Sequence, residues 1–301
     1  MQALTHIVKA AKNLSLLFIE SSMLIKLRIL LLRLYYQSFG LLRKQQSAEE
    51  LITLFTTPRS RVIRKKEIEV LKKAASETID FQGQKVKVYQ WGAGEAYVLL
   101  CHGWESNAGS LGAFVEPLLE RGYRVIAYDS LAHGESEGQQ SNMVVFKEIA
   151  KHLIEKMGTP KMAIGHSMGA NVILLLAHEE SIALSKVILI SPFNQLRAIF
   201  RGFKDILQIP DSIYSIMLDK VSHRFNYNVR KMEFGKVGEQ SPLEEVLIMH
   251  DRDDKITPFS HSHTMAKRWK RAQLIPIEGS GHYKILWYGT TLQNGLEFLD
   301  R

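Results

Sequence analysis

The stretch Lys161–Glu180, "KMAIGHSMGANVILLLAHEE", decides how this chain folds. "MAIG" reads as a short apolar strand, and "MGANVILLLAHEE" carries apolar residues at helical spacing. Between them lies Gly165-His166-Ser167-Met168-Gly169. A strand that runs into a helix through so short a turn needs a sharp backbone at Gly165 and close packing at Gly169. The serine is then left at the sheet edge, at the amino end of a helix. A buried apolar strand feeding a helix is the repeating unit of a parallel sheet.

The same rhythm runs in both directions from Ser167. "KVKVYQW" alternates with a period of two, and "AYVLLCHGW" is an apolar run that stops in a glycine turn. "LGAFVEPLLERGY" is helix-like, "YRVIAYDS" strand-like, and "MVVFKEIAKHLIEKMG" repeats apolar residues at helical spacing up to Gly158. "SKVILIS", "LEEVLIMHD" and "AQLIPIEG" read as later strands, with the helix-like "SHSHTMAKRWKRA" between the last two and "TTLQNGLEFLDR" closing the chain. These alternations predict a mostly parallel sheet with helices on both faces, whose active site lies beyond the carboxyl ends of the strands. From Phe193 to about residue 240 no strand is legible, while "LRAIFRGFKDIL" and "PDSIYSIMLDKVSHRF" read as helices. An interval of that length is too long for a simple loop, so residues 193–240 are expected to form a helical cap over the strand ends.

Composition is that of a soluble globular protein, with 46% hydrophobic and 23% charged residues in 301. The single cysteine, Cys101, rules out an internal disulfide and favours a reducing, cytoplasmic compartment. No zinc-type Cys/His spacing is present, and neither a metal nor a cofactor is expected. The net charge of +8 is uneven: residues 1–75 hold 14 Lys/Arg and 5 Asp/Glu, hence +9, and the remainder sums to −1. The near-neutral remainder, without cations set among stacking aromatics, argues against nucleic acid as a partner.

Residues 1–75 therefore read as an apolar, basic helical arm, and 76–301 as the main domain. In "LSLLFIESSMLIKLRILLLRLYYQSFGLLRK", Glu20, Lys26, Arg28 and Arg33 interrupt the apolar run. A membrane span needs about 20 mostly apolar residues without such charges, and no signal-peptide cleavage pattern stands out. As one helix, Ser15, Ser22, Lys26, Arg33, Gln37 and Lys44 would share a narrow polar stripe. Most of the remaining surface is apolar and needs a partner. The candidates are another part of the protein, a second copy through residues 1–45, or the lipid interface at the inner face of the membrane. "SRVIRKKEIEVLKKAASE" reads as a second helix with a solvated face.

A serine nucleophile needs a base, a group that orients the base, and donors for the oxyanion. "IPIEGSGHYKIL" places His282 after a late strand in a glycine-rich loop. "VLIMHDRDDKITP" ends a strand in a loop that holds Asp251, Asp253 and Asp254, any of which qualifies as the acid. "LLCHGWESN" ends an early strand, so the backbone N–H groups of Trp104 and Met168 are the candidate oxyanion donors. His102, Gly103, Trp104, His166 and Phe193 are expected to line the substrate pocket.

Over roughly residues 80–301 the chain resembles the α/β-hydrolase superfamily. "HGW" resembles the family's His-Gly-x strand end, "GHSMG" its nucleophile elbow and "GSGHYKIL" its histidine loop. "YDSLAHGESEG" resembles Asp-x-x-Gly-His-Gly-x-Ser, with Ala132 where the first glycine often stands. "HDRDDKITP" resembles His-Gly-x-x-Asp-x-x-Val-Pro, with Asp251 in place of glycine. The resemblance implies a Ser167–Asp254–His282 triad and, with serine at the elbow, acyl transfer to water. The implied activity is hydrolysis of small carboxylic esters, and the apolar side chains of the expected cap, among them Phe193, Phe200, Ile213 and Met217, predict apolar acyl groups of short to medium length. Thioester hydrolysis, acyl transfer, peptide cleavage and carbon–carbon hydrolysis share that machinery, and a non-enzymatic membrane-associated module is the rival of another class. Residues 1–75 lie outside the resemblance.

Overall fold

The computed structural model describes residues 22–301. Eight strands form one sheet: β1 Ala75–Phe81, β2 Gln84–Trp91, β3 Tyr97–Cys101, β4 Arg124–Tyr128, β5 Met162–His166, β6 Leu184–Ile190, β7 Leu243–Asp251 and β8 Ala272–Ile277. Their order is β1-β2-β4-β3-β5-β6-β7-β8. β1–β2 and β2–β4 pair antiparallel, and every neighbour from β4 through β8 pairs parallel. The expected mostly parallel α/β sheet is therefore present. β3 and β5 are buried at every position, which is why they read as continuous apolar runs rather than alternations.

The described residues fall into two compact units, one of Ser60–Asn194 with Glu233–Arg301, the other of residues up to Arg59 with Gln195–Met232. The first holds the whole sheet. Its helices include Met143–Met157, Met168–Glu179, Phe259–Arg268 and Gly289–Leu299. Phe114, Leu118, Ile164, Ile188 and Leu247 belong to one wholly buried cluster. Truncating one of these to alanine is worth about 2–5 kcal/mol.

In the second unit the helices Leu196–Leu207 and Asp211–Phe225 form as the sequence predicts. Helix Ser22–Gln37 buries Leu32, Tyr35 and Tyr36. Helix Lys44–Thr56 packs on Asp211–Phe225, where Glu49 meets Lys220 at 2.8 Å and Arg224 at 2.7 Å. Phe55 stacks on Phe200 and meets Phe203 edge-on, with ring centroids 4.4 and 5.1 Å apart. Much of the apolar character of residues 195–232 is therefore taken up inside this unit.

Two sequence expectations change here. The arm is not one helix through Lys44: the helix ends at Gln37 and a short turn Phe39–Leu42 intervenes. Ser38 bends the chain by donating its hydroxyl to Leu34 O. Gly40 sits so tightly that a Cβ would meet Tyr35 O at 3.1 Å and Ser47 Oγ at 3.2 Å. Lys44 therefore leaves the polar stripe, and Ser15 lies outside the described residues. The second helix is also shorter than expected, Lys65–Leu71, and "ASETIDF" that follows is edge strand β1. Only Ile79 and Phe81 of that strand are buried, so its period-two signal is weak. Glu67 of the same helix is buried rather than solvated, accepting from Arg64 N at 2.7 Å and from Asn107 Nδ2 at 3.0 Å.

Candidate active site

The elbow forms where β5, near the centre of the sheet, meets helix Met168–Glu179. Ser167 has φ 50° and ψ −117°, a region that costs a non-glycine residue strain and is seen where a side chain must be held at a site. Its amide donates to Ile190 O at 2.8 Å. The two flanking glycines have a steric reason. A Cβ at Gly165 would lie 2.7 Å from Ala170, and one at Gly169 would collide with the Cys101 carbonyl. The helix can thus start hard against the end of β3.

Met168 opens that helix, so its N–H has no intrahelical acceptor. The β3 end supplies Cys101-His102-Gly103-Trp104. A Cβ on Gly103 would lie 2.8 Å from His166 Nδ1 and 3.3 Å from Ser167 Cβ, so the glycine backbone lies directly beside the elbow. Among the described residues, neither the Trp104 nor the Met168 N–H donates to a protein acceptor.

Around Asp254 three side chains converge, those of His282, Thr257 and His250. His282 Nδ1 lies 2.7 Å from Asp254 Oδ2. The same oxygen takes the Thr257 hydroxyl at 3.1 Å and faces His250 Nε2 at 3.3 Å. Asp254 Oδ1 accepts from the amides of Ile256 and Thr257 at 2.8 and 2.9 Å. Burial opposes ionisation of this carboxyl, but the hydrogen bonds from His250 and His282 prevail and hold it well below the usual carboxylate range. A carboxylate only accepts, so His282 Nδ1 is the donor in this pair, and Nε2 is the acceptor of the neutral ring. His250 is fixed from behind by the Ser262 hydroxyl at 2.6 Å.

The three aspartates thus separate. Asp251 turns to the histidine loop and accepts from Ser280 N at 2.6 Å, Ser280 Oγ at 2.7 Å and Gly281 N at 2.9 Å. Burial raises its pKa, and these bonds more than reverse the effect. Asp253 is exposed. Only Asp254 meets the imidazole.

The residues expected at a pocket divide in the same way. Trp104 is part-buried and packs edge-on against His133 at 4.8 Å. His102 is enclosed: its Nε2 accepts from Ser130 N at 3.1 Å and its Nδ1 donates to Gly103 O at 2.7 Å. Burial, with His133 beside it, pushes its pKa down to about 3, so it is neutral. His166 is buried as well, and its Nε2 donates to the His282 carbonyl at 2.9 Å. Phe193 packs on Phe234 and is clamped through its backbone by the side chain of Asn171, at 2.7 and 3.1 Å. Neither His102 nor Phe193 offers a free polar or apolar surface. Thr257 and Asn171 carry no assignment from sequence, and His250 enters there only as the head of the acid-loop motif.

Comparisons with known proteins bear on the family and the fold. A family model described as "Serine aminopeptidase, S33" matches residues 92–243, just over half of the chain. Monoglyceride lipase of Rattus norvegicus is 28% identical over 125 residues, covering 38% of this chain and 41% of that protein. The match thus spans about two fifths of the lipase's length. Non-heme haloperoxidase of Rhodococcus erythropolis is 29% identical over 247 residues, covering 66% of this chain and 90% of that protein. Among solved structures, Pyrococcus furiosus esterase Pf2001 superposes with a TM-score of 0.60 at 21% identity, covering 82% of this chain and 97% of that one; at that identity the likeness bears on the fold alone. With strand order, elbow and family match in agreement, the chain belongs to the serine aminopeptidase S33 family of α/β hydrolases.

Proposed function

We propose that this protein hydrolyses carboxylic esters through an acyl-enzyme on Ser167. The observation that carries the reading is the 2.7 Å contact of Asp254 with His282 Nδ1, in a chain whose elbow serine stands at positive φ before a helix. His282 Nε2 takes the Ser167 proton as Oγ bonds to the acyl carbon. The Trp104 and Met168 N–H groups receive the oxyanion, each such donor being worth about 2.7–4 kcal/mol at the transition state. Collapse breaks the ester C–O bond, and His282 returns the proton to the leaving alcohol. Water then attacks the acyl-enzyme with the same base, which frees the carboxylic acid and Ser167.

Ester chemistry is supported by the monoglyceride lipase relative. His102, Gly103 and His166 act in this reading by shaping the backbone beside Ser167 rather than by touching substrate, and Trp104 borders the acyl site. The proposed substrates carry apolar acyl groups of short to medium length. A chain-length series of p-nitrophenyl esters tests this, run beside Ser167→Ala and beside aminoacyl anilides for the peptidase alternative. Anilide turnover exceeding every ester would reassign the bond cleaved.

A further inference from the structure

Helix Ser22–Gln37 is apolar on two opposite sides. At 3.6 residues per turn Leu32, Tyr35 and Tyr36 share one side, and all three are buried. Met23, Leu27, Leu30 and Leu34, spaced four, three and four, share the other. Their exposures are 79%, 50%, 49% and 55%, and Leu42, just past the helix end, is 82% exposed. Single exposed leucines need no explanation, but a continuous stripe marks a contact surface.

The charge beside the stripe is one-sided. Residues 22–44 hold Lys26, Arg28, Arg33, Arg43 and Lys44, and no Asp or Glu. Lys26 flanks the stripe between Met23 and Leu30, and Arg43 and Lys44 follow Leu42, all three exposed. The first acid beyond them, Glu49, is engaged by Lys220 and Arg224. Among the described residues this apolar face is edged with cations and carries no anion, which matches a helix lying in the headgroup layer of an acidic bilayer, where hydrocarbon and negative charge occur together. A second copy of this helix would bring cation against cation. No described helix is long and apolar enough to cross a membrane, so the helix suits lying on the surface rather than spanning it.

We propose that the Met23–Leu27–Leu30–Leu34 stripe docks this protein on an anionic lipid surface. The inference does not use Ser167 and stands or falls apart from the hydrolytic reading. The test is flotation of the full chain with phosphatidylcholine vesicles, and with equimolar phosphatidylcholine and phosphatidylglycerol. Wild type is expected to float with the mixed vesicles at low salt, less at high salt, and little with the neutral ones. Leu27→Glu/Leu30→Glu should reduce the floated fraction by about tenfold or more while far-UV circular dichroism and p-nitrophenyl ester turnover stay unchanged. Should that variant fail to fold, Met23→Glu/Leu34→Glu, at more exposed positions, takes its place. Wild type that stays soluble at low salt overturns the proposal, as does a folded variant that floats like wild type. So does a wild-type dimer that the variant turns monomeric while neither floats.

Discussion

The ring of His166 is joined to the backbone of His282 by a 2.9 Å hydrogen bond spanning 116 positions of sequence. Because a carbonyl only accepts, His166 holds its proton on Nε2. The bond ties the residue before the proposed nucleophile to the loop of the proposed base. His166→Leu is expected to lower kcat by about ten- to a hundredfold with little change in KM, as a misplaced catalytic pair does. His166→Gln, whose amide N–H can take the Nε2 position, should recover most of that loss. Steady-state kinetics on a p-nitrophenyl ester check this, and equal losses in both variants would count against a positioning role.

Asp254 and Asp251 should fail in different ways. Asp254→Asn removes the partner of His282 and is expected to lower kcat by about 10⁴ with the fold intact. Asp251→Asn weakens the bonds that shape Ser280–Gly281, at about 1.5–3 kcal/mol. Its signature is a Tm lowered by several degrees with a smaller loss of kcat. The reverse pattern would reassign the acid.

Two glycines near the elbow separate fold from activity. A methyl at Gly169 would collide with the carbonyl of Cys101. Gly169→Ala is therefore expected to destabilise by more than the usual ~1–3 kcal/mol of overpacking, or to abolish folding. The Gly103→Ala methyl meets the His166 ring and Ser167 Cβ. That variant should fold, with kcat lowered by about tenfold or more through displacement of the elbow. Thermal melts beside kinetics distinguish the two outcomes.

Acid should destabilise the protein from about pH 6 downward, above the range in which ordinary carboxylates titrate. Burial pushes His102 down to about 3 and His133 down to about 4, and holds His166 well below its ordinary value. All three stay neutral when folded and gain a proton when unfolded, so their contribution is full above pH 6.5 and lost as pH falls. Asp129, pushed up to about 6 by burial, works in the opposite sense, since the folded form takes its proton first. The net uptake on unfolding is roughly two protons between about pH 6 and 5, or about 3 kcal/mol per pH unit. Urea unfolding at pH 7, 6 and 5 measures the slope, and a flat profile would contradict buried neutral imidazoles.

The sheet was legible because strands buried on both faces read as uninterrupted apolar runs, and the elbow because its glycines punctuate one of them. β1 was not, since five of its seven residues are exposed and carry no alternation. The end of the arm helix at Gln37 depends on Ser38 and Gly40, which are ordinary residues until Tyr35 and Ser47 crowd them. At the site, the family resemblance implied Asp254, spacing alone leaving three aspartates open, and the fold turns Asp251 to the histidine loop instead. Thr257 has no sequence signal of its own, because a threonine acquires a role only from the carboxylate and imidazole folded onto it. Ala132, where the family often has glycine, stands at φ 62°, in the left-handed region that favours glycine.

The central claim is that Ser167 is the acylated nucleophile. Wild type and Ser167→Ala, shown to melt alike, are treated with a fluorophosphonate and analysed by intact and peptide mass spectrometry. One adduct on the peptide that contains Ser167 in wild type, and none in Ser167→Ala, is the predicted result. Equal labelling of both proteins, or an adduct on another serine, would contradict it.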